Sequence, residues 1–309
     1  MRRQHRAALA AALALGLVAA ACGDDDDDGA EAAEQRDGPT VSIGAQDFGE
    51  SAILAEIYGQ ALEADGFKVD QQALGGFREL VFDTFESGDI NFAPDYVASE
   101  LEFLNGGAGE ATSDVDETLA LLEPLLEEEG LVAFDPSEAV DTNAFVVTQE
   151  TADELDLETL SDLAENGQDL KLGAPQDCEE NAFCLPGLQE VYGLDLSQNF
   201  TPLDAGVIAT SLEEGAIDVA LLFSTDGRIA DEGWVLLEDD QQMLAADNVV
   251  PIATKELADA YGDDFASVVN DVSAQLTTDD LIELNKRFDI DKDDADDIAA
   301  DWLADHDIG

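Results

Sequence analysis

Apolar residues along this chain fall into short β-branched runs separated by stretches with helical spacing. Thr40 to Ala45 reads as a strand and Asp47 to Gly49 as a turn. Ile53, Leu54, Ile57, Ala61 and Leu62 then recur on one helix face until Gly66 stops it. Phe67 to Ala73 predicts a second strand and Gly75-Gly76 a turn. Leu80, Val81, Thr84 and Phe85 line a second helix that Gly88 ends, and Ile90 to Phe92 is a third strand running into a Pro94-Asp95-Tyr96 loop. This β-α-β-α-β order implies a parallel sheet with helical crossovers, whose ligands bind beyond the carboxyl ends of the strands. The loops to watch are Gln46 to Ser51, Gly75 to Arg78 and Pro94 to Ser99.

A second α/β unit follows. Ala144 to Thr148, Leu170 to Ala174, Ile217 to Phe223 and Val235 to Glu238 read as strands, and Leu160-Ser161-Asp162-Leu163 opens a helix with Ser161 as its cap. Asn248 to Thr254 looks like a strand returning to the first unit. Leu257 to Leu303 is mostly helical, with Ile298, Trp302 and Leu303 as the buried stripe of the last helix.

Length and charge bound the function. At 309 residues the chain has room for about two domains, and its 45% hydrophobic content supplies their cores. Against 73 Asp and Glu stand only 12 Lys and Arg, which makes nucleic acid an unfit partner and excludes a basic membrane-binding surface. His5 and His306 sit at opposite ends, so a His-rich zinc site has nothing to build from. Asp289-Ile290-Asp291-Lys292-Asp293 starts like a calcium loop. Asp294 stands where that loop needs Gly and Ala300 where it needs Glu, so the segment reads as a solvated helix start.

Arg2, Arg3 and Arg6 precede an apolar run from Ala7 to Ala21, the pattern of a secretory signal and too short to span a bilayer. Val18-Ala19-Ala20-Ala21-Cys22 resembles the lipobox of bacterial lipoproteins, with Cys22 the lipidated residue. Residues 22–39, opening with Asp24 to Asp28, then read as an acidic tether. Without residues 1–21, nine basic residues face 73 acidic ones, a net charge of about −64. Such self-repulsion is carried most easily in concentrated salt, so a salt-adapted source is expected. Outside the cytoplasm, Cys178 and Cys184 are read most simply as a disulfide closing a small loop.

Several segments, in order, resemble the substrate-binding proteins of glycine betaine, carnitine and choline ABC importers. Gly44-Ala45-Gln46-Asp47-Phe48-Gly49-Glu50-Ser51 before Ile53-Leu54-Ala55-Glu56 is similar to that family's Gly-Ser-Lys-Asn-Phe-Thr-Glu-Gln opening. Leu74-Gly75-Gly76, Gly88-Asp89-Ile90, Pro94-Asp95-Tyr96, Pro186-Gly187-Leu188 with Val191-Tyr192-Gly193-Leu194, and Thr225-Asp226-Gly227-Arg228-Ile229 continue the likeness over about residues 40 to 255. The resemblance implies an α/β, two-lobed periplasmic-binding-protein fold of type II, the Venus flytrap. Residues 40–142 and 250–309 would form one lobe and 143–249 the other, hinged by two crossing strands. It further implies a monomeric, lipid-anchored receptor that passes a small solute to ABC permease and ATPase subunits, with no catalysis and no cofactor.

The family's ligand is a quaternary ammonium in an aromatic cage, each ring contributing about 0.5 to 2 kcal/mol by cation-π attraction. Tyr96 matches a cage Tyr, and Phe145, after Asn143, stands where the family has another. The other two cage positions are Ala209 and Asp247. Gln46 replaces a Lys, Ser51 a Gln and Phe77 a Thr, which weakens the case for a carboxylate-bearing ligand, while Asp247 is able to pair with a cation and Phe77 to supply a ring. The ligand set expected from the resemblance is therefore Gln46, Asp47, Phe48, Phe77, Tyr96, Asn143, Phe145, Thr225, Asp226 and Asp247. Three other readings stay open: a non-quaternary solute in the same fold, a cell-surface protein without a transport role, and an enzyme pairing Asp47 with Asp95 or Asp226.

Overall fold

The computed structural model describes residues 35–309 except Phe77. The signal, Cys22 and most of the acidic tether lie outside the described residues, as does the proposed ring of Phe77.

In chain order the elements are β1 (Val41–Ala45), α1 (Gly49–Ala64), β2 (Val69–Ala73), α2 (Arg78–Ser87), β3 (Phe92–Tyr96), α3 (Val97–Leu104), α4 (Val115–Glu128) and β4 (Leu131–Ala133). There follow β5 (Asn143–Val147), α5 (Gln149–Leu155), α6 (Leu160–Asn166), β6 (Leu172–Ala174), α7 (Leu185–Val191), β7 (Phe200–Pro202), α8 (Ala205–Glu213), β8 (Val219–Phe223), α9 (Gly227–Asp231) and β9 (Val235–Leu236). The chain ends with β10 (Val249–Thr254), α10 (Lys255–Tyr261), α11 (Asp263–Ser273), α12 (Thr278–Lys286) and α13 (Ala295–Asp305).

These build two mixed five-stranded sheets, ordered β2-β1-β3-β10-β4 and β7-β6-β8-β5-β9, one in each lobe of an α/β fold. In the first, β1 runs parallel to β2 and β3, but β10 returns antiparallel between β3 and β4, so the sheet is mixed rather than all parallel. In the second, β5 lies antiparallel between β8 and β9, and β6 parallel to β7 and β8.

The largest core sits under the first sheet. Ile53, Leu54, Ile57, Tyr58 and Leu62 of α1 are fully buried there with Val41, Phe92 and Phe265, and Ile298 and Trp302 of α13 close the far side. Two local expectations shift. Pro94-Asp95-Tyr96 is the end of β3 rather than a loop, because Pro94 lies opposite Pro251 of β10. Neither proline has an N–H to contribute, so the two share a non-hydrogen-bonded pair and the ladder loses nothing there. The cap of α6 is Thr159, whose hydroxyl and the Asp162 carboxylate bond each other's backbone N–H reciprocally, while Ser161 instead donates to Asp240 at 2.6 Å. In the acidic run after α12, residues Arg287–Asp291 form a wider turn, and α13 begins only at Ala295.

The lobes touch where α9 meets α12. Asn285 Nδ2 donates to the Thr225 carbonyl at 3.0 Å, and Lys286 pairs with Asp231 at 3.5 Å. A Cβ at Gly227 would stand 2.5 Å from the Lys286 backbone N and Cα, closer than atoms pack, so only glycine lets the two helices meet. Gly227→Ala is expected to destabilise the protein by about 1 to 3 kcal/mol, the usual cost of overpacking. Urea titration checks it, and an unchanged midpoint would mean that α9 does not seat on α12.

Candidate functional site

The three loops beyond the strands of the first sheet converge. The Asp47 N–H donates to the Gly76 carbonyl at 2.8 Å, tying the β1–α1 turn to the Gly75-Gly76 turn. Ser51 Oγ accepts the Gln46 N–H at 2.9 Å, and Gln46 Nε2 reaches Asp95 Oδ2 at 3.3 Å. Asp95 is 3% exposed and is gripped by Arg78, whose Nε lies 3.1 Å from Asp95 Oδ1 and 3.0 Å from Glu100 Oε2.

A second cluster lies beside the first. The Tyr96 hydroxyl donates to Glu50 Oε1 at 2.6 Å and Asn285 Nδ2 to Glu50 Oε2 at 2.5 Å. The same Asn285 amide bonds the Thr225 carbonyl, and Thr225 Oγ1 donates to Asp141 Oδ1 at 3.0 Å. One polar chain thus runs from α1 and β3 through α12 to the β8–α9 turn and the segment joining the lobes. Above it the Phe48 ring, 37% exposed, stacks on Tyr96 with centroids 6.4 Å apart and planes 25° off parallel. Asp247 sits on the other side of β3. The Ser99 N–H and hydroxyl donate to it at 2.9 and 2.6 Å, supplying the first turn of α3 with the cap that Tyr96 does not provide.

These acids are under strain from burial. Desolvation pushes the carboxyls of Glu50, Asp141 and Glu100 above the ordinary range, with the negative neighbours Asp289, Glu50 and Asp95 respectively adding to it. Burial also pushes Asp247 up to about 6 against the hydrogen bonds from Ser99. For Arg78, burial opposes the charge, but Asp95 first and then Glu100 and Asp247 outweigh it and hold the guanidinium protonated. A surplus of carboxylates under an aromatic pair can attract a cation with an apolar surface, and it repels a carboxylate.

The expected ligand residues divide. Gln46, Phe48, Tyr96 and Thr225 meet in the clusters just described, and Asp247 adjoins them. Asp47 is exposed. Asn143 is half-buried at the start of β5, its amide donating to the Phe183 carbonyl at 3.2 Å. Asp226 is spent as the cap of α9, accepting the Arg228 N–H at 3.0 Å and pairing with its guanidinium. Phe145 is packed in the second lobe, and Tyr96, 4% exposed, is nearly as buried in the first. Both faces of β5 are covered, Ala144 and Val146 by one apolar cluster, Phe145 and Val147 by another, and the Phe145 ring is 1% exposed. It belongs to the core of the second lobe, as does Ala209 at the other altered cage position. Residues missed in the sequence are Glu50, Arg78, Glu100, Asp141 and Asn285. Glu50 and Arg78 carried a signal, as members of the loops after β1 and β2.

A cavity of about 380 Å³ is lined by residues that include Ser113, Val115, Val140, Asp239, Leu244 and Asn248. No aromatic ring lines it, and its one acid, Asp239, is bonded by Tyr192 and two backbone N–H groups. The aromatic pair, not this cavity, has the chemistry to hold a cation. Among the described residues no His, Cys, Asp and Glu group has metal-site geometry, and no helix is long and apolar enough to cross a membrane.

Comparison with known proteins agrees with this architecture. Residues 39–305 match the family model described as the substrate binding domain of ABC-type glycine betaine transport system. The chain is 28% identical to the glycine-betaine-binding protein of Pseudomonas aeruginosa over 278 residues, covering 86% of this chain and 88% of that one. It is 28% identical to the carnitine transport binding protein OpuCC of Listeria monocytogenes over 255 residues, 81% of each. Its fold superposes on a crystal structure of a glycine betaine/carnitine/choline ABC transporter with a TM-score of 0.79 at 26% identity, covering 87% of this chain and 98% of that one.

Proposed function

The chain belongs to the family of substrate binding domains of ABC-type glycine betaine transport systems, and from that premise we propose that it is the extracytoplasmic receptor for a small quaternary amine such as glycine betaine, choline or carnitine. The lobes close on the solute, and the closed receptor delivers it unchanged to a permease driven by ATPase subunits. The observation that carries this reading is the Phe48–Tyr96 ring pair over the buried Glu50 carboxyl. A trimethylammonium group gains cation-π attraction from such faces and Coulomb attraction from the acids below them. Among quaternary amines the reading favours choline, because Gln46 stands where the family's lysine would compensate a betaine carboxylate, and the Arg78 guanidinium is already engaged by Asp95 and Glu100.

The reading extends to the ends of the chain. The apolar leader with Cys22 would export the protein and hold it on the outer face of the membrane by lipid, the acidic residues after it spacing the receptor from the surface. The net charge of −61 fits a monomer working in concentrated salt.

Titration calorimetry in molar salt with choline, glycine betaine and carnitine tests the proposal. Tyr96→Ala is expected to weaken binding of the preferred amine about tenfold or more. If the folded protein takes none of the three, the ligand class is wrong while the family stands.

A further inference from the structure

We propose that Phe223, the last residue of β8, is the ring that the second lobe contributes to the solute site, where it supplies a face for the quaternary ammonium. This deepens the receptor reading and rests on it. Six aromatic residues lie between positions 143 and 249. Phe145, Tyr192 and Phe200 pack into one apolar cluster, Trp234 into another and Phe183 against a third. Phe223 belongs to none of them and is 58% exposed, although Val219 to Leu222 before it are at most 7% exposed. A single exposed ring means little by itself, and its place in the fold gives it meaning.

β8 runs parallel to β6, and ligands of such sheets bind beyond the carboxyl ends of the strands. At that end the turn after Phe223 meets the first lobe. Asn285 donates both to the Thr225 carbonyl and to Glu50, the carboxylate that also accepts the Tyr96 hydroxyl. Phe223 therefore stands two positions from the polar chain that underlies the Phe48–Tyr96 pair. Its mount is firm. The Ser224 N–H donates to the Thr142 carbonyl at 2.8 Å, the Thr142 N–H to Ser224 Oγ at 3.0 Å, and Ser224 Oγ to the Val140 carbonyl at 3.0 Å. The Phe223 carbonyl accepts the Asp226 N–H at 3.1 Å. A ring on a backbone already fixed loses little freedom when a solute arrives. With Phe145 in the core and Ala209 without a ring, Phe223 is the aromatic face that the second lobe leaves available. Having no hydroxyl, it offers cation-π attraction and apolar cover, which suits a trimethylammonium group.

The test is titration calorimetry of the preferred quaternary amine in molar salt, on the wild type and on Phe223→Ala, Phe223→Leu and Phe223→Tyr, with melting curves of each. Phe223→Ala is expected to weaken binding about fivefold or more, and Phe223→Leu, apolar but without a ring, nearly as much. Phe223→Tyr keeps the face and should stay within about twofold of the wild type. Melting temperatures should be close to that of the wild type throughout, because the ring is exposed. Wild-type affinity in a folded Phe223→Ala protein would overturn the proposal, and so would full affinity in Phe223→Leu, which would reduce the contact to apolar cover. If the alanine variant does not fold, the leucine variant decides. A wild type that takes choline, glycine betaine and carnitine alike at no measurable affinity overturns the ligand class and this inference together, an outcome distinct from a wild type that binds and variants that bind equally well.

Discussion

Replacing Arg78 by Met should cost about 3 to 5 kcal/mol of stability at pH 7.5, the range seen when one partner of a buried ion pair is removed and the other stays charged. Asp95 and Glu100, 3% and 1% exposed, both lean on this guanidinium. Neither oxygen of Glu100 has a hydrogen bond in addition to that ion pair. Methionine fills the same space along the aliphatic stem, so the loss is electrostatic rather than a cavity. Two features separate this from simple damage to α2. The deficit should shrink at pH 5, where Glu100, whose carboxyl burial holds above the ordinary range, takes up a proton in place of the lost cation, and adding Glu100→Gln should recover part of it. Denaturant titration of the three proteins measures the effect, and a loss below about 1 kcal/mol would show that Asp95 and Glu100 are stabilised some other way.

How much of this was legible in the sequence depended on distance along the chain. The β1–α1 unit could be read because Ile53, Leu54 and Ile57 are neighbours whose spacing alone defines a buried face, and Gly66 at a φ of 87° marks a stop that few other residues accept. β3 was misjudged at Pro94, since a proline argues against a central strand unless its partner is also proline, and Pro251 lies far off in sequence. Phe145 could not be assigned to core or cleft from alternation, because a strand covered on both faces has no polar face to give direction. The polar network was the least visible part. Glu50 and Asn285 are 235 positions apart, and among 73 acids nothing local marks Glu50 as buried or Asp141 as a member of its network. The β-α-β order pointed to the loops beyond β1, β2 and β3, and the first two are tied together by the Asp47–Gly76 bond. Which of their residues pack inward was decided by contacts that only the folded chain contains.

Stability should rise as the pH falls from 8 to 5, the reverse of a protein held by surface ion pairs. Asp247 has a folded-state pKa of about 6 against an ordinary value near 3.9, so between those values the native state binds more protons than the unfolded chain. Its contribution is complete below about pH 4 and is lost as the pH rises through about 6, roughly 3 kcal/mol in all. Glu50, Asp141 and Glu100 are shifted in the same direction and add to the same slope. Asp162 and Asp240, held low by hydrogen bonds from Thr159 and Ser161, oppose it only below about pH 4. Surface repulsion from the net charge of −61 has the same sign, but salt separates the two. Raising salt from 0.1 to 1 M shortens the Debye length from about 10 to about 3 Å, which screens exposed charges and leaves buried ones largely untouched. The melting temperature at pH 8 should therefore climb steeply with salt, and the slope that survives in molar salt belongs to the buried acids. Asp247→Asn should flatten that residual slope between pH 4 and 6. A melting temperature that falls on acidification from pH 8 to 5 in molar salt would mean that these carboxyls are ionised and solvated in the native protein.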